Sequence, residues 1–256
     1  MLSNNDRSLQ ILEALLKEVK GCALSQLSTD LDIPKSAMHR LLTSMKEMGY
    51  IYQDEQTQHY KLSLKIASMG LTYLSSRSIT ETFQPLLNEL AEKSAELVRL
   101  GMIENEKIIW IAKAQGSKSG LKYDPDSGSI AYLPASACGL AYLSSINADD
   151  FSRIVGREGF EKANQFGPNS PKNLDQLTKM VESSRKRGYG LISDTYELGM
   201  TAMAKTIINP HTNKPFGTVS IAGPSFRLNE KRVEELSPAL IATAEKLGEI
   251  VHLAHL

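Results

Sequence analysis

Lys35, Ser36, His39, Arg40 and Thr43 crowd one short segment, and each ends in a hydrogen-bond donor. On a helix their spacing sets them along one side. There the Lys and Arg charges can meet phosphates, while hydroxyl, imidazole and guanidinium groups can reach base edges. None of the five is acidic. Met38, Leu41, Leu42 and Met45 stand at i, i+3, i+4 and i+7 on the other side, an apolar face of the kind a helix buries. Two readings of this helix stay open: a recognition helix seated in a major groove, or an amphipathic surface helix whose charges meet only water.

Other reactive residue types lack the context that chemistry needs. His252 and His255 share an i, i+3 spacing that a metal tolerates, but no Cys or carboxylate partner stands beside them. A solvated or packed helix end accounts for them, and no metal is expected. Cys138 begins a helix, where a thiol pKa can fall; a small apolar residue in a tightly packed helix is the plainer reading. No Ser-His-Asp, Cys-His or phosphate-loop pattern has usable context. The chain is therefore read as no enzyme and as needing no cofactor. The alternatives are a metabolic enzyme on the larger domain, with the N-terminal helices used for assembly, and a winged-helix module that binds protein rather than DNA. The first lacks a convergent acid, base and nucleophile.

A helix can present such a face only if its neighbours hold it. Asp6 caps a first helix in which Leu9, Leu12, Leu15, Leu16 and Val19 recur at helical spacing, and Lys20–Gly21 ends it. A short second helix keeps Leu24, Leu27 and Leu31 inward. Asp32–Pro34 form a tight turn, with Pro34 suited to the first position of the third helix, which stops at Gly49. Tyr50, Tyr52, Tyr60 and Leu62 then alternate as strands about the polar turn Asp54–Gln58. Three helices and a hairpin over residues 1–62 make a winged helix-turn-helix, which favours the groove reading. The expected DNA contacts are Lys35, Ser36, His39, Arg40 and Thr43. The wing tip offers Gln56, Thr57 and Gln58 but no Lys or Arg, so Gln58 is expected to touch the backbone with little affinity. A fold of this size usually works as a dimer on a two-part operator.

Residues 63–78 continue as a linker helix with Leu64, Ala67, Leu71 and Leu74 in a stripe. The stripe serves either a dimer interface or packing on its own domain. Residues 79–256 mix helices and strands. Helices are expected at 80–95 (interrupted or begun near Pro85), 135–145, 173–187 and from Asn229 to about Ala254. Strands are expected at Leu97–Met102, Lys107–Lys113, Tyr189–Ser193, Met200–Ile208 and Phe216–Ala222. Strands in runs, without strict alternation with helices, indicate an α+β fold class.

Lys+Arg and Asp+Glu are 29 each, and residues 1–62 hold seven basic against eight acidic residues. Phosphate binding must then rest on a local patch. Cys22 and Cys138 lie far apart, no basic-then-apolar leader opens the chain, and no apolar run approaches the ~18 residues of a spanning helix. A cytoplasmic protein with no membrane partner is expected.

Over essentially its whole length the sequence resembles the IclR (isocitrate lyase regulator) family of bacterial transcription factors. PKSAMHRLLTSMKEMGY and KLSLKIASMG carry the likeness in the first part. LPASACGLAYLSS, RKRGYGLISDTYELGMTAMA and GTVSIAGPSFRLNEKRVEEL carry it in the second. The resemblance implies a GAF-like effector-binding domain behind the winged helix, regulation of catabolic genes, and a homodimer or dimer of dimers. It implies an effector cavity closed by Leu133–Ala141, with Ser136 and the amides of Ala137 and Cys138 at a helix N-terminus that offers an anion site for the effector's carboxylate or carbonyl. It also puts Ile192, Ala202, Ser220 and Ala222 on the cavity's strands. Where family members often carry Asp, Cys and a second Ser, this chain has Ile192, Ala202 and Ala222; Leu140 and Pro134 replace a usual Lys and His. These departures run from polar to apolar. They imply an organic or aromatic acid with more apolar surface than glyoxylate-like acids, walled by Trp110, Tyr123 and Met203. The alternative is a cavity filled by its own side chains.

Overall fold

The computed structural model describes residues 4–76, 79–125 and 127–253. The chain divides into two compact units, Met1–Ser76 and Arg77–Leu256.

The first unit runs α1 (Asn4–Lys17), α2 (Leu24–Asp30), α3 (Lys35–Glu47), β1 (Ile51–Gln53), β2 (Tyr60–Leu62) and α4 (Leu64–Ser76). Ile11, Leu15, Leu27, Ile33, Met38, Leu42 and Met45 form its core. Full burial of a side chain such as Met38 or Leu42 contributes about 1.5–3 kcal/mol, so the inner face of α3 fixes the outer one. The turn between α2 and α3 depends on Asp32, which takes a left-handed φ of 50°, a conformation Asp tolerates better than most residues. Ile33 is thereby pushed into the core, and its carbonyl accepts from the Ser28 hydroxyl at 2.6 Å. Pro34 sits one residue before α3, not at its first position.

Two expectations for α1 are corrected. The helix is already formed at Asn4, so Asp6 lies within it instead of capping it. The buried stripe is Ile11 and Leu15, whereas Leu9 is 62% and Val19 93% exposed and Leu16 is also exposed. The helix stops at Lys17 because the chain turns to pair with the wing. Cys22 N–H donates to the Tyr60 carbonyl at 3.0 Å, and Tyr60 N–H returns to Cys22 at 2.9 Å. The linker helix is α4. It buries none of its residues, and Leu71 remains 65% exposed.

The second unit runs α5 (Ile79–Ser94), β3 (Leu97–Glu104), β4 (Lys107–Gln115), α6 (Ala137–Ser145), α7 (Ala148–Glu158), α8 (Leu174–Arg187), β5 (Gly190–Ser193), β6 (Met200–Asn209), β7 (Lys214–Pro224) and α9 (Glu230–Leu253). The strands form one antiparallel sheet in the order β4-β3-β7-β6-β5. Helix α6 covers β5, β6 and β7, with α8 against it; α5 and α9 cover the other face. Asn105 and Glu106 join β3 to β4 with positive φ at both residues, the geometry of a tight hairpin. Pro85 lies inside α5 and does not break it. Helix α7 was not foreseen; Asn147 caps it, accepting from the Asp150 N–H. His252 falls in the last turn of α9, and Ala254 and His255 lie outside the described residues.

Candidate functional site

Helix α3 holds Lys35, Ser36, His39, Arg40 and Thr43 exposed on one side, with Met38, Leu42 and Met45 buried on the other. Neither Lys35 nor Arg40 forms an ion pair among the described residues. The helix has no acidic residue in its first turn, so the N-terminal end that would enter a groove carries no charge opposed to phosphate.

The wing is organised differently. Asp54 accepts from the Gln56 and Thr57 backbone N–H groups at 3.1 and 2.9 Å and from the Lys61 ammonium at 2.8 Å. The Lys61 hydrogen bond, helped by Thr57, holds the Asp54 carboxyl well below the usual carboxylate range. The cation nearest the wing is thus neutralised from within. Gln58 is exposed at a φ of 58°, but its side-chain amide donates to the Glu55 carbonyl at 2.8 Å. It shapes the turn before it could touch anything else.

In the second unit a cavity lies between the sheet and the start of α6. Arg99 and Ser220 face each other across β3 and β7, and Ala222, Ala202 and Ile192 follow across β7, β6 and β5. Residues directly opposite in an antiparallel ladder share a face, so these side chains all point toward α6. Trp110 from β4, Tyr123 and Tyr196 from connecting loops, Ser136 capping α6, and Ala137 and Cys138 in its first turn complete most of the lining. Close approach of α6 needs two glycines. A Cβ on Gly190 would stand 2.3 Å from the Ala137 carbonyl, and one on Gly139 would stand 2.0 Å from that of Leu133.

The space left is about 20 Å³, room for roughly one water. Trp110 and Tyr196 meet edge to face with centroids 6.0 Å apart, and the Arg99 guanidinium lies 3.8 Å from the Trp110 ring centroid. Burial pushes the Tyr123 hydroxyl up from its usual pKa, against a downward pull from Arg99; burial does the same to Tyr196. Three buried polar atoms of the lining have no hydrogen-bond partner: Arg99 Nε, Trp110 Nε1 and Ser220 Oγ.

Residues 6–55 match the IclR helix-turn-helix domain, and residues 71–249 match the domain described as bacterial transcriptional regulator IclR C-terminal. The chain belongs to the IclR family. It is 29% identical over 244 residues to the acetate operon repressor of Salmonella typhimurium, covering 94% of this chain and 87% of that protein. An IclR transcriptional regulator from Alicyclobacillus acidocaldarius shares its fold with a TM-score of 0.81 at 19% identity, over 97% of this chain and 98% of that one. An IclR homolog of Microbacterium hydrocarbonoxydans, solved in complex with 4-hydroxybenzoate, gives 0.76 at 16% identity, over 96% and 99%. With the family's helix-turn-helix domain and a named repressor among its relatives, the chain is a DNA-binding transcription regulator and not an enzyme.

For this IclR-family chain, the lining includes Trp110, Tyr123, Ser136, Ala137, Cys138, Ile192, Ala202, Ser220 and Ala222, all of them positions singled out from the sequence. Two others fall elsewhere. Met203 follows Ala202 on β6, and successive strand residues point to opposite faces; it is buried away from α6. Leu133 packs in the core beneath α6, in the short turn Leu133–Ala135. Arg99, Tyr196, Met200 and Thr201 also line the cavity and were not anticipated. A signal for Arg99 was there to find: one charge inside the apolar run Leu97–Met102. Among the described residues no group of three or more His, Cys, Asp or Glu could hold a metal, and no helix is long and apolar enough to cross a membrane.

Proposed function

We propose that this chain works in the cytoplasm as an effector-responsive regulator of catabolic genes, with residues 1–62 reading an operator, 63–78 linking, and 79–256 sensing a metabolite. The observation that carries the DNA contacts is the outer face of α3. Lys35, Ser36, His39, Arg40 and Thr43 are exposed together while the inner face is locked in the core. Gln58 is assigned a backbone contact of small weight, since its amide already serves the turn.

The effector is an organic or aromatic acid, more apolar than glyoxylate-like acids. Aromatic walls at Trp110, Tyr123 and Tyr196, and apolar Ile192, Ala202 and Ala222 opposite, support this. So does the bound 4-hydroxybenzoate of the Microbacterium homolog. The protein acts as a homodimer or dimer of dimers. The uncovered α4 face, Leu64, Ala67 and Leu71, supports that assembly.

Fluorescence anisotropy on DNA fragments from around its own gene, with and without aromatic acids, tests the whole scheme. Sequence-selective binding that changes with an acid is expected. Binding that is equal on all fragments, or that no acid changes, overturns it. Light scattering of Leu71→Glu should give a monomer if α4 pairs the copies.

A further inference from the structure

We propose that Arg99 is the anion anchor of the cavity. The ligand's single carboxylate pairs with β3, across the cavity from the N-terminus of α6. This rests on the cavity being the effector site.

Arg99 is only 6% exposed, and its Nε has no hydrogen-bond partner. No ion pair forms on it among the described residues. Among the described residues that line the cavity none is Asp or Glu, and Glu197, on the loop that carries Tyr196, is exposed and makes no ion pair with it. Buried charges in folded proteins are paired, because a charge removed from water without a partner is strongly disfavoured. What Arg99 does have is uncharged: the Trp110 ring centroid at 3.8 Å, that of Tyr123 at 5.8 Å, and a side-chain hydrogen bond with Tyr123. Stacking uses the faces of a guanidinium, and beyond the Tyr123 hydrogen bond its in-plane Nε–H remains for an acceptor. Directly across the ladder stands Ser220, whose buried hydroxyl is also unpartnered, and Trp110 Nε1 is a third unused donor on the same wall. A planar cation flanked by neutral donors answers an oxyanion, and in so small and otherwise apolar a cavity a carboxylate fits best.

On the opposite wall the one polar side chain of the helix start is already engaged. Ser136 Oγ accepts from the Gly139 N–H at 3.0 Å, capping α6 with its own side chain. Beside it Cys138, Ile192, Ala202 and Ala222 offer apolar surface. The ligand thus has a charged end toward Arg99 and an apolar body toward α6 and β5. A six-carbon ring does not fit in about 20 Å³, so entry displaces Tyr123 or Tyr196, both carried on loops.

The experiment is calorimetry and thermal shift on the full chain. The probes are benzoate, 4-hydroxybenzoate and phenylacetate, each beside its neutral amide. Wild type should bind at least one acid more than tenfold tighter than its amide, and Arg99→Gln should remove that preference while keeping the amide's affinity. Arg99→Lys should retain part of it. Arg99→Met, without ligand, should melt at or above the wild-type temperature, because an unpaired buried charge is replaced by apolar bulk.

An acid preference that survives in Arg99→Gln overturns the proposal and moves the anion to α6. A several-degree fall in melting temperature for Arg99→Met also overturns it, making Arg99 a packing residue. Ala202→Trp, which fills the cavity from β6, two strands away from Arg99 on β3, separates the two levels. If acids and amides bind wild type equally and Ala202→Trp abolishes both, the effector site stands and the anchor fails. If no probe binds, or Ala202→Trp leaves binding unchanged, both fail.

Discussion

The Glu96 carboxylate, 5% exposed, is gripped by Arg227 across 131 positions of sequence, Nε at 2.6 Å and a terminal nitrogen at 2.9 Å. The same guanidinium donates to the Leu121 carbonyl at 2.8 Å. One side chain therefore ties the start of β3 to the segment after β7 and to the loop that carries Tyr123. Arg227→Ala leaves a buried carboxylate alone, and breaking such a pair costs about 3–5 kcal/mol. A urea titration should show a loss near the lower end of that range, since Arg227 is partly exposed. Glu96→Gln in the Arg227→Ala background should recover much of it.

For the α3 face, Arg40→Ala should weaken operator binding by about 1–3 kcal/mol and relax selectivity if Arg40 reads a base. Lys35→Ala should instead weaken all sequences alike and reduce the salt slope by about 1. Anisotropy titrations at several salt concentrations distinguish the two. Unchanged binding in both variants would remove them from the interface.

Asp54→Asn should strengthen DNA binding. It releases Lys61 while the Asn oxygen still accepts from the Gln56 and Thr57 N–H groups. One more neutralised phosphate steepens the salt slope by about 0.9. The pH sign follows from the lowered Asp54 pKa. A carboxyl held below its unfolded value of about 3.9 adds stability above that pH and loses it as acid approaches the folded value. In Lys61→Met, the Asp54 carboxyl resonance should titrate closer to the ordinary range.

Gly190→Ala should destabilise the second unit by at least about 1–3 kcal/mol, as overpacking does. The new methyl would stand 2.3 Å from the Ala137 carbonyl and 2.8 Å from the Ala141 nitrogen. Thermal denaturation checks this, and a variant as stable as wild type would mean that α6 can step back from β5.

Much of the fold was legible where pattern and punctuation agree. In α3 the period of Met38, Leu42 and Met45, the proline before it and Gly49 after it all mark the same helix. In α1 the signal was degenerate: apolar residues surround the helix, and periodicity alone does not say that Ile11 faces in while Leu9 and Leu16 face out. The cavity shows the same divide. Ser136, Ile192, Ala202 and Ala222 were readable through the family resemblance. Met203 was misjudged although strand alternation alone separates it from Ala202. Arg99 was missed because a charge within a strand is easily taken for a solvent-facing residue, and only the ladder register turns it toward Ser220.

The narrowness of the space between Trp110, Tyr196 and α6 bears on sensitivity. If only a fraction of molecules is open at any moment, the concentration that half-saturates the protein rises in inverse proportion to that fraction. The dose to which such a regulator responds would then be tuned by how firmly Tyr196 leans on its neighbours, and evolution could shift it without altering one atom that touches the metabolite.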